Sequence, residues 1–379
     1  MTRKGEPHDR LLRAFFFLAT MFYLAVGAWA GNVLKVGPDQ PYATIQSAVD
    51  AAQTGDAILV YPSTYAESVS LTQNGVSIVA QGDGVIVGPP PVEKKACFEV
   101  KADRVAIQGF ELTGTLMAPG IRFEGSHNRF SGNRIYGLSG LGVNALNCRD
   151  PNGRSNFNVI ENNDITGADL GIVVGADTET AVNKGNIITG NTIRGMGTVG
   201  IAIYNCTEST ISGNVIEGVP FGLGISIAAL TGKVPQHSHT VTGNKITGSA
   251  EGGIGVFADV TTRLSKVTIS YNDIDSPGDY GILLQKDSGA HLAHNVILGN
   301  CVKNADAAGV LVETGVNENT VERNLVFSSG LCGIEVEGNR NKITSNTVLG
   351  NSAYDLCDDG KANRWKDNVY GTASWKGGP

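Results

Sequence analysis

Short apolar alternations recur along the chain after a glycine, as in Gly171-Ile172-Val173-Val174, Gly200-Ile201-Ala202-Ile203, Gly224-Ile225-Ser226-Ile227 and Gly253-Ile254-Gly255-Val256. Side chains alternate across a strand, so the two branched residues point one way and the residue between them the other. These segments predict short strands with one buried face. A second pattern frames them. Asn133, Asn163, Asn191, Asn214, Asn244, Asn272, Asn295, Asn324, Asn346 and Asn368 each have an apolar residue three positions before and another two positions after. Successive members lie 22 to 30 residues apart, the period of a solenoid coil with insertions. One coil cannot bury its own apolar face, whereas stacked coils can. Asparagine, mostly after Gly or Ser, suits a left-handed turn, and stacked amides can hydrogen-bond along the axis. The 50 glycines and the β-branched runs leave almost no helical stripe.

The repeated G-N-x-I and G-I-x-V pieces resemble the right-handed parallel β-helix (pectin-lyase-like) family, including carbohydrate-binding and sugar-hydrolysing repeat proteins. Tyr42-Ala43-Thr44-Ile45-Gln46-Ser47-Ala48-Val49-Asp50-Ala51-Ala52, followed by Gly55-Asp56-Ala57-Ile58-Leu59-Val60, resembles the entry segment of pectin esterases and several lyases. The resemblance implies an all-β, single-stranded parallel β-helix solenoid, with an N-terminal amphipathic helix capping the open end of its core. It covers roughly Val33 to Gly371 and implies polysaccharide as the class of partner. Fold alone does not name a reaction.

Residues 1–30 read differently. Arg3, Lys4, Arg10 and Arg13 precede an apolar run from Ala14 to Gly27, and Ala28-Trp29-Ala30 has the form of a cleavage site. A signal peptide is expected there, with 31–379 as one exported β-helix domain, secreted or periplasmic. An uncleaved anchor is the other reading, although the run is short for a span. The chain carries a net charge of −7, and removing four positive and two negative leader residues leaves 25 against 34, or −9. That sign argues against a nucleic-acid partner.

Export permits disulfides among Cys97, Cys148, Cys206, Cys301, Cys332 and Cys357. Cys148 and Cys206 are expected two coils apart, too far to join. Cys301 and Cys332, placed in adjacent coils, are the expected pair, with Cys332–Cys357 as rival. Neither C-x-x-C nor paired-histidine spacing points to zinc. Four Met and six His argue against copper handling.

Insertions carry the functional signal in a solenoid. From strand glycine to ladder asparagine, the coils starting at Gly142, Gly171, Gly224 and Gly253 take 19 to 21 residues, against 13 to 15 for those starting at Gly200, Gly281, Gly309 and Gly333. The short Gly200 coil is thus expected at the bottom of a notch walled by residues 149–155, 176–184, 229–239 and 258–266. Outward positions form two columns, one through Asn144, Val173, Ala202 and Ser226, the next through Leu146, Gly175, Tyr204, Ala228, Phe257 and Gln285. Small residues make a floor on which Tyr204 and Phe257 are candidates for stacking on sugars. At the strand ends Asp177, Cys206, Leu230, Asp259 and Asp287 share a column, which sets Asp259 and Asp287 about 5 Å apart on neighbouring rungs. Such a pair needs a shared proton, a cation or a basic neighbour. It suits Ca²⁺ ligation, an acid and nucleophile for glycoside cleavage, or simple turn capping.

Lys286 and Arg263 lie beside the pair. A lyase-type reaction would ask Lys286 to serve as catalytic base, with Arg263, Arg149 and Lys233 meeting an anionic substrate and Asp177, Asp259 and Asp287 holding Ca²⁺. His237 and His239, and His291 and His294, read as solvent-facing or as weak metal ligands. The Gly-His-Gly and Arg-Ile-Lys motifs of related enzymes are absent. Two function classes therefore stand: cleavage of an acidic polysaccharide, and non-catalytic glycan binding or a periplasmic accessory or surface-interaction role.

Overall fold

The computed structural model describes residues 31–89, 94–230, 232 and 234–375, so the expected leader lies outside the described residues. The chain winds as a parallel β-helix of about thirteen coils. Sheet 1 has 14 strands, from Val33–Val36 to Arg364–Lys366. Sheets 2 and 3 have 13 each, running from Ser63–Tyr65 to Val369–Tyr370 and from Val69–Leu71 to Ala373–Trp375. A coil visits sheet 3, sheet 1 and sheet 2 in turn. Like residues stack through the interior: Ile172, Ile201, Ile225, Ile254, Ile282, Val310 and Ile334 lie in register on successive rungs of sheet 3, all wholly buried.

The glycine that opens most sheet 3 strands sits where coils approach most closely. A Cβ on Gly171 would come within 2.3 Å of the Gly200 carbonyl oxygen, and one on Gly200 within 2.6 Å of the Gly224 carbonyl oxygen, with Gly253, Gly281 and Gly309 repeating the contact. A Cβ at these glycines would push the neighbouring backbone away. In the coil before Gly171 this place is held by Ala145, not near Gly142, because Leu146 pairs with Ile172 and is buried. Register there is shifted from the sequence expectation. Asn147 and the backbone of Arg149 take the outward positions assigned to Asn144 and Leu146.

Helix α1, Ile45–Ala51, stands where an amphipathic segment was expected. The Thr44 hydroxyl accepts from the Ser47 amide, Glu67 accepts from the Ile45 and Gln46 amides, and Ile45, Ala48 and Val49 are buried. The helix has only seven residues.

Between sheets 1 and 2 the amide ladder is continuous. From Asn133 to Asn368 each backbone N–H donates to the side-chain oxygen of the next asparagine, at 2.9–3.0 Å. One member differs from the sequence reading: Asn300 follows Asn272, and Asn295 lies elsewhere. Ile297 is two residues after Asn295 and three before Asn300, so this coil satisfies the pattern twice.

Asn295 belongs to a second ladder, at the corner between sheets 3 and 1. It runs Asn128, Asn158, Asn186 and resumes at Asn295, Asn319, Asn341, Asn363. Between those stretches the positions are Ser209, His239 and Val267. His239 replaces an amide: its Nδ1 accepts from the Ser209 N–H at 3.3 Å and its Nε2 lies 3.0 Å from the Cys206 carbonyl. It is buried, not solvent-facing.

The disulfide joins Cys332 to Cys357, on adjacent strands of sheet 3 with Cα atoms 6.2 Å apart. This corrects the expected Cys301–Cys332 pair. Cys301 opens a strand of sheet 2, opposite Leu325, and keeps a free thiol on another face of the solenoid. Cys148 and Cys206 are free and buried, and burial pushes the Cys148 thiol up to about 12.

Candidate functional site

The insertions do leave from one corner, that between sheets 3 and 1, and add two small sheets there. Asn183–Lys184 pairs with Cys206–Thr207, while Gln236–His237, Arg263–Ser265 and His291–Ala293 form a three-stranded ribbon. With Asn300 as the ladder residue, Gly281 to Asn300 spans 19 positions, so this coil also belongs with the extended ones.

The expected notch over the Gly200 coil is bridged. Asn205, at its floor, donates from Nδ2 to the Ala176 carbonyl at 3.0 Å, and its Oδ1 accepts from the Leu230 amide at 3.1 Å and Gln236 Nε2 at 3.2 Å. Above it the two walls touch: a Cβ on Gly232 would lie 2.9 Å from the Glu179 carbonyl oxygen. Cys206 leaves the expected aspartate column, turning into the core to pair with Asn183. Asn205 was not singled out from sequence. Its only local signal is an asparagine at a strand end, here with φ of 49°.

Tyr204 lies face-down across Gly175. A Cβ on that glycine would come within 2.1 Å of the ring Cζ and 2.3 Å of both Cε atoms, and the phenol donates to Asp177 Oδ1 at 3.1 Å. One ring face is thereby fixed against the sheet. Phe257 lies back over Gly255 in the same way, and packs with Tyr280, Leu283, Ala308 and Leu311 in an apolar cluster outside the coil core.

Tyr204, Ala228, Phe257 and Gln285 share one register across four rungs, and the aspartate pair follows two residues on. The Asp259 and Asp287 amides bond to the Ala229 and Ala258 carbonyls, which places the two residues on neighbouring rungs. Their carboxyl groups meet, and the hydrogen bond that the Asp287 carboxyl donates to Asp259 holds it above its ordinary range, with Lys286 opposing. Asp259 also caps its turn, accepting from the Val260 amide at 2.7 Å. Pairing and capping coexist. Lys286 donates to the Asp287 carbonyl at 3.3 Å. Arg263 is exposed, opposite His291 in the ribbon. Lys233 lies outside the described residues, and of Arg149 only the backbone is described.

Further along sheet 3, Gln285 Nε2 donates to Glu313 Oε1 at 2.9 Å, and burial raises the Glu313 carboxyl. Among the described residues no three His, Cys, Asp or Glu side chains are grouped to hold a metal ion. Nor is any helix among them long and apolar enough to cross a membrane.

Three solved structures share the fold at low identity. The A-module of a mannuronan C-5 epimerase from Azotobacter vinelandii aligns at 14% identity and TM-score 0.56, over 87% of this chain and 94% of that one. A PL6 family polysaccharide lyase from Pseudopedobacter saltans aligns at 13% and 0.54, over 89% and 92%. A PL6 alginate lyase complexed with a trisaccharide aligns at 14% and 0.56, over 91% and 86%. No curated protein matches the chain in sequence. The family model described as "Right handed beta helix region" matches residues 98–262 and 180–353, two overlapping spans that take in most of the coils built from Gly-Ile-x-Val strands and stacked asparagines. The chain belongs to the right-handed β-helix family.

Proposed function

We propose that this chain, exported and with α1 plugging the first coil, binds an acidic polysaccharide along the sheet 3 edge that runs from Tyr204 to Asp287, and cleaves it there. The observation that carries the reading is the contact between Asp259 and Asp287 beside Lys286, in line with a tyrosine ring laid flat by glycine. The ring of Tyr204 offers an apolar plate for a sugar ring, as does that of Phe257 to a lesser degree, and Asp177 fixes the phenol. Arg263, exposed in the flanking ribbon, would meet the polymer's carboxylates, and Lys233 is proposed as a second such cation. The fold neighbours are named for a mannuronan C-5 epimerase and for polysaccharide and alginate lyases, which supports the ligand class.

In a lyase-type reaction Lys286, the nearest basic group, removes the proton beside the uronate carboxylate. The electron pair forms the ring double bond and expels the glycosidic oxygen, which takes a proton from Asp287 acting as general acid. Two aspartates supply only part of the six to eight oxygens that Ca²⁺ takes. Ca²⁺ would enter as a bridge completed by the substrate's carboxylates and water.

A second reading, glycan binding without cleavage, is favoured by the exposed, turn-capping setting of the aspartates. Incubation with uronate polymers separates the two. Unsaturated products, lost in the Asp259→Asn, Asp287→Asn double variant, support cleavage; polymer binding by the wild-type chain with no product formed, or products undiminished in the variant, overturns it.

A further inference from the structure

Beside the aspartate pair, where the extra ribbon ends, a cleft of about 360 Å³ opens at the same corner, a size within the range of small-ligand sites. Its floor is the buried run Ala290, Leu292, Ala293. Two cations converge on it from different coils. Lys286 takes a position that Ala229 and Ala258 fill on the preceding rungs, so its stem starts from the corner's interior and leans outward. That stem crosses Gly315, where a Cβ would meet Cε at 2.9 Å and Nζ at 3.2 Å. Among the described residues the ammonium has no carboxylate within ion-pair distance, and its bond to the Asp287 carbonyl uses one of three donors. On the facing side Arg340 is steadied by Glu318, Nη2 to Oε1 at 3.1 Å, which leaves most of its five donors free. His291 stands at the rim.

We infer that this cleft is an adjoining subsite for one carboxylated sugar, its carboxylate held by Arg340, with Lys286 on the edge that the cleft shares with the aspartate pair. A planar guanidinium fork matches a planar carboxylate, and the apolar floor suits the sugar's C–H face. Glu318, the one carboxylate in the lining, lies against Arg340 and selects against a second negative charge. The choice of a uronate rests on the polysaccharide reading above; the cleft and its cations do not. It adds a binding position next to the aspartate pair, reaching over the two following coils, so that a polymer on sheet 3 turns the corner instead of continuing along the axis.

The test is a nuclear magnetic resonance titration of the full chain with methyl glucuronide, using methyl glucoside and inorganic phosphate as controls. Methyl glucuronide should bind, Arg340→Ala should weaken it at least tenfold without changing thermal unfolding, Tyr204→Ala should leave it unchanged, and methyl glucoside should not bind. Unchanged glucuronide binding in Arg340→Ala, equal binding of the glucoside, or tighter binding of phosphate at the same residues each overturns the assignment. The two readings fail separately. Polymer binding lost in Tyr204→Ala with Arg340→Ala at wild-type level removes the cleft alone; the reverse removes the sheet 3 face alone.

Discussion

Two corners of this solenoid are built from the same residue, and only one keeps it throughout. Between sheets 1 and 2 the amides run unbroken from Asn133 to Asn368, while between sheets 3 and 1 the run stops after Asn186 and resumes at Asn295. The gap is filled by Ser209, His239 and Val267, next to strands of the small extra sheets. Loop length alone does not break the column, since the extended coils of Asn158, Asn186 and Asn295 keep it. Where the corner departs from uniformity, the candidate chemistry is found.

The largest expected effect comes from breaking what both corners depend on. Ile216 is wholly buried, and Ile216→Asp places an unpaired carboxylate among stacked isoleucines at a cost of about 3–5 kcal/mol or more, so circular dichroism should show an unfolded or strongly destabilised chain. A native spectrum at an unchanged melting temperature would refute the register.

The unbroken corner is the next target. Asn214 accepts from the Asn191 backbone and side chain at 2.9 and 3.0 Å and donates to the Ile188 carbonyl and to Asn244 Oδ1. Asn214→Leu strands several buried polar groups at about 1–3 kcal/mol apiece. Ser209→Asn, in the gap of the other column, should change chemical-denaturation stability by less than about 1 kcal/mol. Equal losses at both positions would erase the distinction between the corners.

His239 gives the interrupted corner a pH dependence. Burial lowers its pKa from 6.5 to about 4, so the folded chain keeps the ring neutral while the unfolded chain protonates first. Stability is therefore full above about pH 6.5 and falls as the pH drops towards 4, by roughly 2–3 kcal/mol. Urea midpoints measured across that window should lose this slope in His239→Gln.

The smallest effect sharpens the site itself. Gly175→Ala puts a methyl where the Tyr204 ring lies, at 2.1 Å from Cζ, and should lift the ring from Asp177. Glycan affinity should fall by roughly 1 kcal/mol, about fivefold, with little change in melting temperature. Undiminished affinity would show that the ring need not lie flat.

The solenoid was legible because buried positions repeat at the period of a stacked coil, and alternation around each glycine marked the inner face. Asn295 was misplaced because Ile297 serves two asparagines at once. The cysteine pairing failed from a related cause: counting residues after a ladder asparagine does not reveal that Cys301 begins sheet 2 while Cys332 begins sheet 3. The second column was invisible because its interruption hides the repeat. The closed walls above Asn205 rest on backbone contacts at Gly232 and Glu179 that no residue pattern encodes. Asp259 and Asp287, by contrast, were placed together correctly, since rung spacing alone decides that distance.

The glycine file at the head of the sheet 3 strands has a bearing on how such a chain can lengthen. Each of these α-carbons leaves a vacancy that the carbonyl of the following coil occupies, from Gly171 through Gly309. Every coil thus presents a socket on one side and a plug on the other, both within its own two dozen or so residues. A tandem copy of one coil would arrive with matching joints at either end. Growth by duplication then needs no repair of the seams, which leaves the looped corner free to diverge afterwards.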